Sequence, residues 1–104
     1  GAQIVPADWV EEMTTPAETW EGYGYQVWLG DRAVSDEMPE TDDPNLSWMS
    51  ESYAANDMIV LSGYGRQRVW VIPSQDLVIV RATRTWSDDW DESVIPNTVL
   101  RGVK

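Results

Sequence analysis

The chain has 104 residues, of which 18 are acidic and seven basic, and its formal net charge of −11 repels phosphate backbones, so no nucleic acid is expected as a partner. Cysteine and histidine are both absent, which removes disulfides, thiol nucleophiles, Ser-His and Cys-His pairs and the usual zinc sites. A hydrophobic content of 42% with seven Trp supports one domain at most, and no apolar run approaches the roughly 18 residues of a membrane span.

In chain order, Pro6 suits a first helical turn, and Trp9, Val10 and Met13 fall on one stripe with Asp8, Glu11 and Glu12 outside it. The spacing predicts a short amphipathic helix ending near Thr14-Thr15-Pro16. Tyr23 to Leu29 reads as a strand stopped by Gly30-Asp31. Its opening, from Gly22 to Trp28, echoes Gly63 to Trp70, as two similar strand entries in one sheet would.

Residues 31–57 carry Asp36, Glu37, Glu40, Asp42, Asp43, Glu51 and Asp57 with two Pro and no periodicity, and predict a solvated surface loop. Asp42-Asp43-Pro44-Asn45 offers oxygen ligands but lacks the spaced ligands and Gly of an EF-hand loop, so no metal site is assigned. Asn45-Leu46-Ser47 fits the glycosylation sequon. Trp48, Met49 and Tyr53 are expected to anchor the loop's return by packing.

Val69 to Ile72 and Leu77 to Val80 flank Pro73-Ser74-Gln75-Asp76, in which Pro presets a tight turn and Ser or Asp bonds local backbone. This predicts a β-hairpin. Val69 and Val71 oppose Trp70 and Ile72, while Leu77 and Ile79 oppose Val78 and Val80, so both faces are apolar and the hairpin belongs mid-sheet with cover on each side. At its entrance Gly63-Tyr64-Gly65 lets the backbone bend or another group approach. After it, Arg81-Ala82-Thr83-Arg84 ends the strand, Trp86 to Asp91 is turn-like, and Pro96 to Val103 predicts a final helix with Val99, Leu100 and Val103 on one side. The helical segments are too few to cover two sheet faces, which points to part of the fold lying elsewhere.

The run from Ser62 to Val80, a Gly-aromatic-Gly entry, a strand ending in Pro, a short acidic turn and a Leu-Val-Ile-Val strand, resembles the penicillin-recognising serine hydrolase superfamily. The similar branch holds class C β-lactamases, related esterases and 6-aminohexanoate-dimer hydrolases. Trp20 to Gly30 and Pro6 to Met13 are similar to the family's preceding strand and helix. The resemblance implies an α+β fold, the C-terminal part of a β-lactamase-like α/β/α sandwich with antiparallel strands and flanking helices. Residues 1–104 would then form part of a single catalytic domain.

The family's Ser-x-x-Lys pair and Tyr-x-Asn or Tyr-x-Ser motif are missing: the only Lys is Lys104, and Tyr53-Ala54-Ala55-Asn56 has one residue too many. The nucleophile is therefore expected on an N-terminal part of the same enzyme, acting as this chain's partner. The resemblance further implies a small-molecule ester or amide as substrate, cleaved through an acyl-enzyme without a cofactor. Matching the Gly-x-x-Gly-Gln entry onto this chain places an oxyanion-holding backbone N–H at Tyr64, with Gly65 as the second candidate, and substrate contacts at Ser62, Gly63, Arg66 and Gln67. No Lys-Thr-Gly or His-x-Gly triplet precedes Gly63, which favours esterase or amidase over β-lactamase chemistry. Arg66 stands where many relatives have Gly; it replaces the missing cation or makes a surface salt bridge. The competing expectation is a stand-alone aromatic-rich binding or structural module without catalysis.

Overall fold

A four-stranded antiparallel meander, in the order β1-β2-β3-β4, organises the molecule: β1 is Trp28–Leu29, β2 Ile59–Gly63, β3 Gln67–Ile72 and β4 Leu77–Arg81. Helix α1 (Ala7–Met13) precedes the sheet and helix α2 (Val94–Gly102) follows it. The computed structural model describes residues 1–19, 23–30, 49–84 and 91–103. The Asp42 to Asn45 stretch, the sequon at Asn45, Trp48 and the Trp86 segment lie outside the described residues. None of the helices described is long and apolar enough to cross a membrane. Two helices with an antiparallel sheet make the fold α+β.

The predicted hairpin forms with Ile72 opposite Leu77 and Trp70 opposite Ile79. Pro73 opens a single 3₁₀ turn, and Asp76 adopts the left-handed conformation (φ 47°) while its N–H donates to Pro73 O at 3.1 Å. The carboxylate that steadies the turn comes from outside it, because Ser74 N and Oγ donate to Asp57 at 2.6 and 2.9 Å.

Alternation along β3 puts Trp70 and Ile72 on the covered face, where they join Val60, Met58, Met49 and Tyr53 in the core. Met49 and Tyr53 thus pack as expected. Trp28, Leu77 and Ile79 extend the same face, and Ile95 and Leu100 of α2 close over it. Asn97, fully buried on α2, ties the covering layer down: its Oδ1 accepts from Ala54 N at 2.8 Å and its Nδ2 donates to Ser52 O at 2.9 Å. The buried surface of α2 is therefore Pro96 and Asn97, with Ile95 and Leu100 beside them, whereas Val103 is exposed. Leu100 of the expected Val99-Leu100-Val103 side thus packs on the core, but Val103 does not, because an amide that saturates two backbone groups holds the helix in that rotation.

Beyond Leu29, which is buried beside Ile59, the opposite sheet face has no such cover among the described residues. Leu61, Val78 and Val80 are 43%, 58% and 67% exposed, and their register partners Val69 and Val71 are only half-buried. The hairpin expected mid-sheet also lies at one end of the strand order, with β4 the terminal strand among the described residues. Helix α1 buries none of its residues, and Trp9 and Val10 stay exposed.

The strand expected over Tyr23 to Leu29 is mostly a turn. Only Trp28 and Leu29 pair with β2, and Tyr23 folds back to bridge Trp28. Gly24 N donates to Val27 O at 2.9 Å, and Gln26 takes φ 59°. Tertiary contact forces this: Tyr25 N reaches Met13 O at the end of α1, so close that a Cβ on Gly24 would stand 2.2 Å from the same oxygen. The expected likeness to the Gly63 segment persists only as two tight turns with left-handed residues.

Asp91 anchors the start of α2. Its carboxylate accepts from Ser93 N at 2.9 Å, from Ser93 Oγ at 2.6 Å and from the Ser50 hydroxyl. Partial burial pushes its pKa up, but these hydrogen bonds outweigh burial and leave it below the usual aspartate value. A folded-state pKa below the unfolded one stabilises the protein above about pH 4, and that contribution fades as pH falls through the folded value. Asp91→Asn is expected to lower stability at pH 7 by about 1–2 kcal/mol and to flatten the acid limb of a Tm-versus-pH curve.

Candidate functional site

Gly63 is the last residue of β2, and Tyr64–Arg66 form the turn into β3. The candidate donors Tyr64 and Gly65 therefore lie on a turn rather than on the strand that the resemblance implies. Gly63 is extended (φ −114°, ψ 162°), and Gly65 and Arg66 are both left-handed, at φ 70° and 62°. Two successive positive φ values follow the twist of the flanking antiparallel strands. Glycine takes this conformation freely, whereas Arg66 does so at a cost of about 1 kcal/mol. The Tyr64 side chain is 72% exposed, so the turn stands at the open end of the sheet.

Ser62 is exposed on β2 opposite Arg68. Gln67 is fully engaged: its Nε2 donates to Thr83 O at 2.6 Å and its Oε1 accepts from Thr83 N at 3.0 Å. That amide clamps the end of β3 to the chain leaving β4. A Cβ on Gly63 would come within 3.2 Å of the Gln67 side chain, so the two are packed tightly together.

Beneath the turn three guanidinium groups gather, of Arg66, Arg68 and Arg81. Arg68 is buried, and its Nε contacts the fully buried Glu92 at 2.5 Å while its Nη1 donates to Gln67 O at 2.9 Å and Gly63 O at 3.3 Å. Arg81 lies directly across from Arg68 in the ladder and donates from Nη1 to Arg66 O at 2.6 Å. Burial, then the Arg68 and Arg66 charges, hold Arg81 below the usual arginine pKa against an opposing pull from Glu92. Arg66 is only 4% exposed, and its Nε and Nη1 find no acceptor among the described residues. The expected surface salt bridge of Arg66 is absent among the described residues, whose ion pairs are Arg68–Glu92 and the exposed Arg101–Glu51.

Sequence reasoning passed over Arg68, Arg81 and Glu92. Parity carried a signal for the first, since Arg68 sits two places before Trp70 and shares its inward face. Glu92 is 24 residues away from Arg68 and enters through tertiary folding alone.

A concavity of about 570 Å³ lies at the opposite end of β3, lined by residues that include Thr14, Leu29, Asn56, Asp57 and Pro73. Its carboxylate, Asp57, is committed to Ser74. Among the described residues no three acidic side chains converge as a metal site would require. No family model matches the chain, and no curated protein or solved structure matches it either.

Proposed function

We propose that this chain is the C-terminal portion of a β-lactamase-related serine hydrolase that cleaves an ester or amide through an acyl-enzyme. Its part in the chemistry is a main-chain N–H at Tyr64, or at Gly65, that holds the oxyanion while a Ser-x-x-Lys nucleophile on an N-terminal portion attacks. The observation that favours this reading is the Gly63–Arg66 turn. The turn stands at an exposed sheet end, on a base fixed by the Gln67 clamp and the Arg68–Glu92 pair. Rigid support of that kind is what an oxyanion donor needs, because a donor contributes most when it need not reorganise as charge develops. The open apolar face adds support, since a sandwich requires a second layer and this chain supplies one.

Labelling the full-length protein with a fluorophosphonate and mapping the modified peptide tests the reading. The expected result is one modified Ser in a Ser-x-x-Lys sequence outside residues 1–104. Absence of labelling, or a label on any of the eight Ser of this chain, overturns it.

A further inference from the structure

Among the described residues nothing accepts from Nε or Nη1 of the Arg66 guanidinium. We infer that Arg66, flanked by Arg68 and Arg81, forms a binding site for a small oxyanion, a carboxylate or a phosphoryl group, beneath the β2–β3 turn. Arg66 carries several burdens that a glycine in the same place would not: a left-handed backbone, a side chain withdrawn from water, and two guanidinium nitrogens without acceptors among the described residues. A buried cation lacking a counter-charge is among the least favourable arrangements in a folded protein, and a ligand that supplies the charge removes the penalty.

The neighbours point the same way. Among the described residues the carboxylate paired within this group is Glu92, whose contact is with Arg68. Arg81 reaches the backbone oxygen of Arg66, which fixes the turn and brings another guanidinium against it. Positive charge is thus concentrated at one spot of a chain whose formal net charge is −11. An incoming oxyanion meets charge-assisted donors there, the strong kind for carboxylates and phosphates. Arg66 is 4% exposed, so the ligand that can reach it is an ion or a terminal group rather than a bulky molecule.

The site does not depend on the hydrolase reading, and its test requires no turnover, so failure of one leaves the other standing. Thermal unfolding of the full-length protein is followed at pH 7 in sodium chloride, sodium acetate and sodium phosphate of matched ionic strength. At a hundredfold excess over Kd the bound anion is expected to raise Tm by about 10 °C over chloride. A rise in phosphate alone assigns a phosphoryl group, a rise in acetate alone a carboxylate, and a rise in both a general oxyanion site. Arg66→Met is expected to abolish the shift while keeping a Tm in chloride at or above wild type; Arg66→Gly, which suits the left-handed backbone, provides the second variant. Equal wild-type Tm in all three salts overturns the inference. So does a shift that survives in both variants, or a Tm in chloride that falls in both, which would make the guanidinium a structural contact.

Discussion

On the proposed function, Tyr64→Pro is expected to lower turnover of the full-length protein by about 10²–10³-fold or more, whereas Tyr64→Phe leaves kcat within a few-fold. The pair separates backbone from side chain. Phe keeps the N–H and deletes a hydroxyl at a position 72% exposed, while Pro deletes the N–H itself. Losing one oxyanion donor typically lowers kcat by about 10²–10³-fold. The fold is expected to accept Pro, because Gly63 already holds the extended conformation (φ −114°, ψ 162°) that a residue before proline requires. Slow acylation of the nucleophile by a phosphonate and an unchanged circular dichroism spectrum would show that the variant is folded. Full turnover with Pro at this position would refute the assignment. Gly65 does not lend itself to the same test, since its φ of 70° is closed to proline.

The other large effect concerns the bare sheet face. On the proposed function, residues 1–104 produced alone are expected to self-associate or remain loosely packed, and to become ordered when the proposed N-terminal portion is supplied. Ile59, Leu61, Val69, Val71, Val78 and Val80 share that face through the β2–β3–β4 register and carry no charge. An aliphatic surface of this kind drives association when water is its only neighbour. Val78→Lys with Val80→Lys is expected to turn the isolated chain into a dispersed monomer in analytical ultracentrifugation, since both side chains point away from the core. In the full-length protein the same double change is expected to destabilise by several kcal/mol, because each side chain would then sit beneath a covering layer. A cooperative thermal transition from a monomer of the unaltered 104-residue chain would exclude the idea.

Local chemistry by itself determined the hairpin. Pro73 sets a turn start, the β-branched runs on either side demand extended backbone, and the register Ile72↔Leu77 follows from the length of the turn. Local patterning also announced α1 and α2 and the use of Met49 and Tyr53 in packing. It did not decide which face of the hairpin would be buried, because Val69 and Val71 are as apolar as the Trp70 and Ile72 they alternate with. That choice was made by Asn97, whose amide fastens α2 and residues 52–54 over one side of the sheet. Tertiary contact likewise cut the strand at Tyr23 to Leu29 down to two residues, where the backbone of Gly24 meets Met13 O. It placed the candidate donors on a turn instead of a strand, and it drew Arg66, Arg68, Arg81 and Glu92 together. The physical reason is range: propensity and periodicity act over a few residues, whereas Arg68 and Glu92 are 24 apart and Asn97 and Ala54 are 43 apart. Only the closing of the chain on itself tells such groups which charge, amide or apolar face they will meet.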